Sequence, residues 1–163
     1  MKDIQIVFPT EADWHWIIER HAETAWASLT SELQAAVSIQ VVRESLSEQT
    51  AKFRAEHEVT NQVFIARNVD EYAGYVWVGQ VKSAFIGAMQ AYILNIYVAD
   101  EFRGKGIGTR LMAQAEDWAR QQKLERIGLS VAAHNKPAIG LYENLAYKIE
   151  TLRMFKDLGG RFS

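Results

Sequence analysis

No cysteine occurs in this chain, which excludes disulfides, thiolate-bound metals and a cysteine nucleophile. No apolar run approaches the length of a membrane span, and charge interrupts Met1–Pro9 too early for a signal peptide. The expectation is a soluble cytoplasmic protein without a membrane partner. Neither sign of charge dominates: 18 basic residues against 20 acidic ones leave a formal net charge of -2. Nothing therefore attracts nucleic acid or anionic lipid in bulk, and any basic site must be local. Internal repeats, linkers and low-complexity tracts are also missing. His15 and His21 would point to different sides of a helix, unlike a metal-binding pair at i, i+4, so no metal is expected.

What is present is a core. Of 163 residues, 48% are hydrophobic, including five Trp, six Tyr and seven Phe. That suffices for one well-buried domain across 1–163, in a chain too short for two. Ile4 to Phe8, closed by Pro9, fits a first strand. Thr10 and Asp13 form a Thr-x-x-Asp cap, and Trp14, Ile17, Ile18, Ala22 and Ala25 follow at helical spacing. Val41, Val42, Leu46, Gln49 and Phe53 indicate a second helix within about residues 40 to 57, while nothing between Ser28 and Ile39 is placed.

The period then becomes extended. Val63–Ala66, a turn at Asn68–Glu71 and Tyr72–Val78 form a hairpin, and Gly79 to Gly87 reads as a loop or strand extension. Ala91–Val98 is a long apolar strand, expected to be central and buried on both faces. Thr109–Gln122 is the clearest helix, apolar along Leu111, Met112, Ala115, Trp118 and Ala119. Ile127–Val131 reads as a second buried strand, so strand, glycine turn, helix and strand make a parallel crossover. Pro137–Leu145 reads as a short helix, and Tyr147–Ile149 with Arg153–Lys156 as a last pair of extended segments.

The chemistry lies between the long strand and the clearest helix, from Val98 to Thr109. Alternate glycines let the backbone turn with several N–H groups pointing inward. The following helix adds free amides and a positive dipole end, so a phosphate would bind there. Arg103, Lys105 and Arg110 add mobile positive charge. A P-loop needs Gly-x-x-x-x-Gly-Lys-Ser/Thr, and a dinucleotide turn needs Gly-x-Gly-x-x-Gly in the first strand-to-helix unit. The spacing here is Gly-x-Gly-x-Gly, preceded by Arg and late in the chain.

Arg103–Gly108 resembles the Arg/Gln-x-x-Gly-x-Gly/Ala signature of the GNAT superfamily of acyl-CoA-dependent N-acyltransferases. The likeness extends to Asn95–Val98 before the loop, the amphipathic helix after it and Asn135–Leu145 downstream. It implies an α/β (α+β) domain with a mixed, mostly antiparallel central sheet of about six to seven strands flanked by about four helices. It also implies acetyl-CoA as co-substrate, with its pyrophosphate on the amides of Arg103, Gly104, Lys105, Gly106, Ile107, Gly108 and Thr109. The pantetheine arm would pair with Ile96, Tyr97 and Val98, Asn135 would contact the cofactor, and Tyr142 would lie beside its sulfur as the catalytic acid. By the same resemblance the Val98 N–H is an oxyanion donor, and the first two helices flank the acceptor, where Glu23 and Glu32 would attract a cationic amine. Structural roles compete for the same residues: Tyr142 as a core aromatic, Asn135 as the cap of its helix. Two positions depart from the family pattern, Asp100 where Pro is frequent and Ala146-Tyr147 where Gly-Phe is frequent.

The implied activity is N-acetylation of a primary amine on a small molecule or peptide, by direct attack in a ternary complex, with no cysteine for a thioacyl step. The alternative is a non-catalytic acyl-CoA-binding or sensing domain that keeps the cradle without transfer. Both readings do without nucleic acid and leave room for a homodimer.

Overall fold

The computed structural model describes residues 3–55, 60–83, 86–156 and 158. β1 (Gln5–Val7) leads through a 3-10 turn, Glu11–Asp13, into α1 (Trp14–Ala27). The Asp13 carboxylate accepts from the Thr10 N–H at 2.6 Å and from its hydroxyl at 2.8 Å, so the expected cap forms. α2 (Ser31–Ala36) occupies the stretch that the sequence left unplaced. It is too short to display a hydrophobic period, and its signal is the Thr30 side chain, which accepts from the Leu33 N–H. α3 (Ile39–Ala55) follows the expected second helix; residues 56 and 57 lie outside the described residues.

β2 (Asn61–Arg67) and β3 (Tyr72–Lys82) make the hairpin, followed by β4 (Met89–Val98), α4 (Ile107–Gln121), β5 (Ile127–Leu129) and α5 (Lys136–Asn144). The sheet order is β1-β2-β3-β4-β5, with β4 and β5 parallel and every other pair antiparallel. The architecture is thus the expected mixed, mostly antiparallel sheet flanked by helices. It has five strands rather than six or seven, and five α-helices rather than four, among the described residues. Tyr147–Ile149 and Arg153–Lys156 form no strand, and Ile149, Leu152, Met154 and Phe155 are exposed. Apolar content suggested strands there, but a strand also needs a partner ladder.

Alternation along β3 sorts the core into two layers. Tyr75 and Trp77 pack with Ile17, Val63 and Ile65 under α1, whereas Val76 and Val78 pack with Leu111, Met112 and Trp118 of α4. Fully buried side chains such as Ile17 and Leu111 each contribute about 2 kcal/mol. The central, most buried strand is β3; β4 is penultimate and only half-buried from Leu94 to Val98, which corrects its expected place at the centre.

Two features of β4 set up the site. Trp77 pairs with Asn95 and Val78 with Ile93, so Leu94 is one residue too many, a β-bulge. At Gly74 an added Cβ would lie 2.4 Å from the Tyr97 carbonyl oxygen, so only glycine lets β3 approach β4 this closely.

Candidate active site

β5 accompanies β4 only along Ala91–Ile93, so the far edge of β4 from Leu94 to Val98 has no strand beside it among the described residues. The Ala99 N–H donates to the Ala73 carbonyl at 3.0 Å. Alternation then turns the backbone groups of Tyr97 toward β3 and those of Ile96 and Val98 toward the open edge. The three residues expected to act together therefore divide: Ile96 and Val98 offer backbone, and Tyr97 offers its ring to the α1 side.

The loop leaves this edge through a 3-10 turn, Asp100–Phe102, whose Phe102 ring is buried and anchors it to the core. Gly104 and Gly106 follow with φ of 71° and 79°, left-handed conformations that L side chains rarely adopt. Gly106 is the N-cap of α4, and none of the amides from Gly104 to Thr109 donates to another described backbone group. The first bond of the helix runs from the Arg110 N–H to the Gly106 carbonyl at 3.0 Å. Unsatisfied amides and a helix N-terminus thus converge at the end of the open β4 edge. The third glycine has another task. An added Cβ at Gly108 would lie 3.0 Å from Leu141 Cδ2, so its bareness lets α5 pack on the first turn of α4.

The basic residues also divide. Arg103 donates from Nε to the Val98 carbonyl at 3.1 Å and pairs with Asp100 at 2.7 Å, which gives the residue replacing proline a partner within the loop. Lys105 Nζ stands 5.6 Å above the Phe102 ring centroid. Arg110 instead donates to the Ile4 carbonyl at 2.7 Å, tying α4 to the chain before β1, so it does not belong to the loop's charge.

Asn135 caps α5, its side-chain oxygen accepting from the Ala138 N–H at 3.2 Å. Beside it, His134 Nε2 lies 3.1 Å from the Ala27 carbonyl and ties the loop after β5 to the end of α1. Tyr142 projects from α5 into the cluster of Ile107, Leu111 and Val98, and is 8% exposed. Burial pushes its phenol above the ordinary range, which keeps it protonated. Ala146, in place of the family's glycine, keeps a left-handed turn at φ 66°.

On the α1 side the sequence missed two arrangements. Asp13, read only as a cap, is 1% exposed and accepts from Tyr72 OH at 2.6 Å and Arg67 Nη1 at 2.9 Å as well as from Thr10. Burial raises its pKa, but the hydrogen bonds from Tyr72 and Thr10 and the charge of Arg67 outweigh that, and the net shift is downward. Tyr72 in turn stacks on Trp16 at 4.5 Å, and Trp16 meets Tyr75 and Tyr97 edge-on at 5.8 Å each. The second arrangement is the Tyr75 hydroxyl, which donates to Asn95 Oδ1 at 2.7 Å. Both need partners far apart in sequence, so no local pattern signals them. Glu23 is paired with Arg20 at 2.7 Å, and Glu32 is in the first turn of α2.

A glycine turn joining a half-open strand to an amphipathic helix, in a sheet of this order, is the frame of an acyltransferase fold. A family model described as the acetyltransferase (GNAT) family matches residues 10–147, and the chain belongs to that family. Among curated relatives, the uncharacterized N-acetyltransferase YdgE of Bacillus subtilis is 30% identical over 94 residues, 58% of this chain and 59% of YdgE. A second, YhfO of the same organism, is 33% identical over 90 residues, 55% of this chain and 60% of its own length. The chain thus spans about three-fifths of the length of these relatives. A putative acetyl transferase from Pyrococcus furiosus superposes with a TM-score of 0.79 at 28% identity, over 96% of this chain and all of that one.

Proposed function

We infer that this protein transfers an acetyl group from acetyl-CoA to a primary amine of a small molecule or peptide, by direct attack within a ternary complex. One observation carries the reading: the unsatisfied amides from Gly104 to Thr109 adjoin the open backbone groups of Ile96 and Val98. The first set suits a pyrophosphate and the second an amide-bearing arm that lies along the edge as a strand would. Lys105 and Arg103 add charge beside the amides without which a pyrophosphate would be held less firmly. A distant structural relative, 12% identical with a TM-score of 0.69, is described as AAC(6')-Iy in complex with a bisubstrate analog of CoA, which agrees with a fold able to hold this donor.

The thioester supplies an activated acyl carbonyl, and every other demand falls on the chain. The amine must pass a proton to a base or a chain of waters to attack, and negative charge must be met where it develops on the carbonyl oxygen. The Val98 N–H faces the open edge and serves as that donor. Tyr142, kept protonated by burial, gives its proton to the leaving thiolate. Asn135 orders the start of α5 and with it the approach of Tyr142. Isothermal titration with acetyl-CoA, thiol release across an amine panel and mass spectrometry of the product test the whole reading. Binding with turnover on at least one amine supports it; binding without turnover on any amine would favour a non-catalytic acyl-CoA-binding domain.

A further inference from the structure

The bulge at Leu94 places Asn95 opposite Trp77, on the same side of the sheet as Tyr75, Tyr97 and α1. This is also the first stretch of β4 beyond its pairing with β5, where the open edge begins. Tyr75 is fully buried, and its hydroxyl donates to Asn95 Oδ1 at 2.7 Å. In this arrangement the carboxamide oxygen accepts from Tyr75, and its two N–H donors have no partner among the described residues. Burial pushes the Tyr75 phenol well above its ordinary range, so it remains a donor throughout the working pH range.

The surroundings are rich in donors. Arg20 stands 6.0 Å from the Tyr97 ring centroid and is close enough to Tyr75 to act on its phenol electrostatically. Glu23 neutralises part of that charge at 2.7 Å. The Asn95 amide and Arg20 guanidinium both call for an oxygen, and Glu23 is committed to Arg20.

We propose that Tyr75 and Asn95 form an acceptor-orienting pair, in which the held carboxamide donates from Nδ2 to an oxygen carried near the reacting amine. The pair selects amines with a neighbouring carbonyl or carboxyl oxygen, such as an amino acid amide or a peptide N-terminus, over simple polyamines. Asn95 is the specificity-determining residue and Tyr75 a positioning residue that acts through it. The inference rests on the acyltransferase reading and deepens it on the acceptor side.

The test compares a short peptide with a free N-terminus against spermidine, using acetyl-CoA and the whole chain. Wild type is expected to favour the peptide. Asn95→Asp keeps the oxygen that Tyr75 holds and replaces the donor with a charged oxygen. It should raise KM for the peptide roughly tenfold, leave KM for acetyl-CoA and the CoA Kd unchanged, and narrow the preference over spermidine. Tyr75→Phe should act in the same direction, more weakly, with a cooperative thermal transition confirming its fold. A preference for spermidine in wild type, or a peptide-to-spermidine ratio unmoved by Asn95→Asp, overturns the pair's role. A chain that binds no CoA at all removes the acyltransferase reading itself, and titration shows this before any acceptor is tried.

Discussion

The side chain of Arg103 folds back to donate from Nε to the carbonyl oxygen of Val98 at 3.1 Å, so the loop is latched to the strand it leaves. Its pairing with Asp100 holds the latch from the other side. Arg103→Ala is expected to raise KM for acetyl-CoA about five- to tenfold, with kcat near that of wild type, because a loosened loop and a lost charge weaken donor binding alone. Steady-state kinetics with the acetyl-CoA concentration varied checks this. A reduced kcat at saturating acetyl-CoA would instead place Arg103 in the chemical step.

At Gly106, φ of 79° with nothing near an added Cβ separates conformation from crowding. Gly106→Ala should cost about 1–2 kcal/mol of left-handed strain, and Gly106→Asp adds a charge that repels phosphate. Acetyl-CoA affinity should fall in the order wild type, Ala, Asp, read by isothermal titration. Equal affinity for all three would remove the loop from donor binding.

Tyr142→Phe keeps an aromatic ring in the core cluster that also holds Ile107 and Leu111 and removes only the proton donor. The expected result is a kcat lowered about ten- to a hundredfold, with the CoA Kd unchanged. Wild-type turnover in the variant would exclude the phenol from the mechanism.

Ala146 carries a Cβ at φ 66° where the family commonly has glycine. Relief of about 1–2 kcal/mol of strain is offset by about 0.4–1 kcal/mol of added chain freedom in the unfolded state. Ala146→Gly should therefore stabilise the fold by roughly 0.5–1 kcal/mol and raise Tm by about 2 °C. Calorimetry at neutral pH measures it, and a lower Tm would show that the turn is strain-free with alanine.

Burial lowers the pKa of His21 from 6.5 to about 4, its ring set edge-on to Trp77 at 5.9 Å. A depressed histidine binds its proton more readily when unfolded. Stability is therefore full above about pH 6.5, falls as the pH drops toward 4, and loses nothing more to this group below that. The loss reaches up to ~3 kcal/mol. Asp13, with a lowered pKa, adds its own loss at lower pH, below the ordinary carboxylate range. Urea unfolding at several pH values should show the first decline, and His21→Leu should flatten it. A slope unchanged by the substitution would assign it to other groups.

Much of this was legible in sequence because its signals are local. The Thr10–Asp13 cap and the 3.6 period of α4 each lie within one short window and form as read, and the glycines before α4 make the turn that leads into it. That Ile96 and Val98 end the strand before the loop was legible, but not that the backbone of Tyr97 faces the other way, since that depends on pairing with β3. Arg110 looked like part of the loop because it is near in sequence; its partner Ile4 is at the opposite end of the chain. The C-terminal segments were misread because apolar content says nothing of a partner strand. The Tyr75–Asn95 and Asp13–Tyr72 contacts span 20 and 59 residues, beyond the reach of any periodic pattern.

The extra residue in β4 has an arithmetic consequence. Ahead of it Ala91 and Ile93 look toward α4; beyond it Asn95 and Tyr97 look toward α1, although all four stand at odd positions. Side-chain direction in a strand has only two values, so one extra residue absorbed as a bulge exchanges the odd and even positions that face each layer while β3 keeps the facing itself. Removing Leu94 would close the bulge and leave Asn95 and Tyr97 facing α1 and Ile96 and Val98 facing α4, because β3 already pairs Val78 with Ile93 and Trp77 with Asn95. A deletion at Leu94 would take away the local kink and added twist of the bulge while leaving the facing of the site residues unchanged.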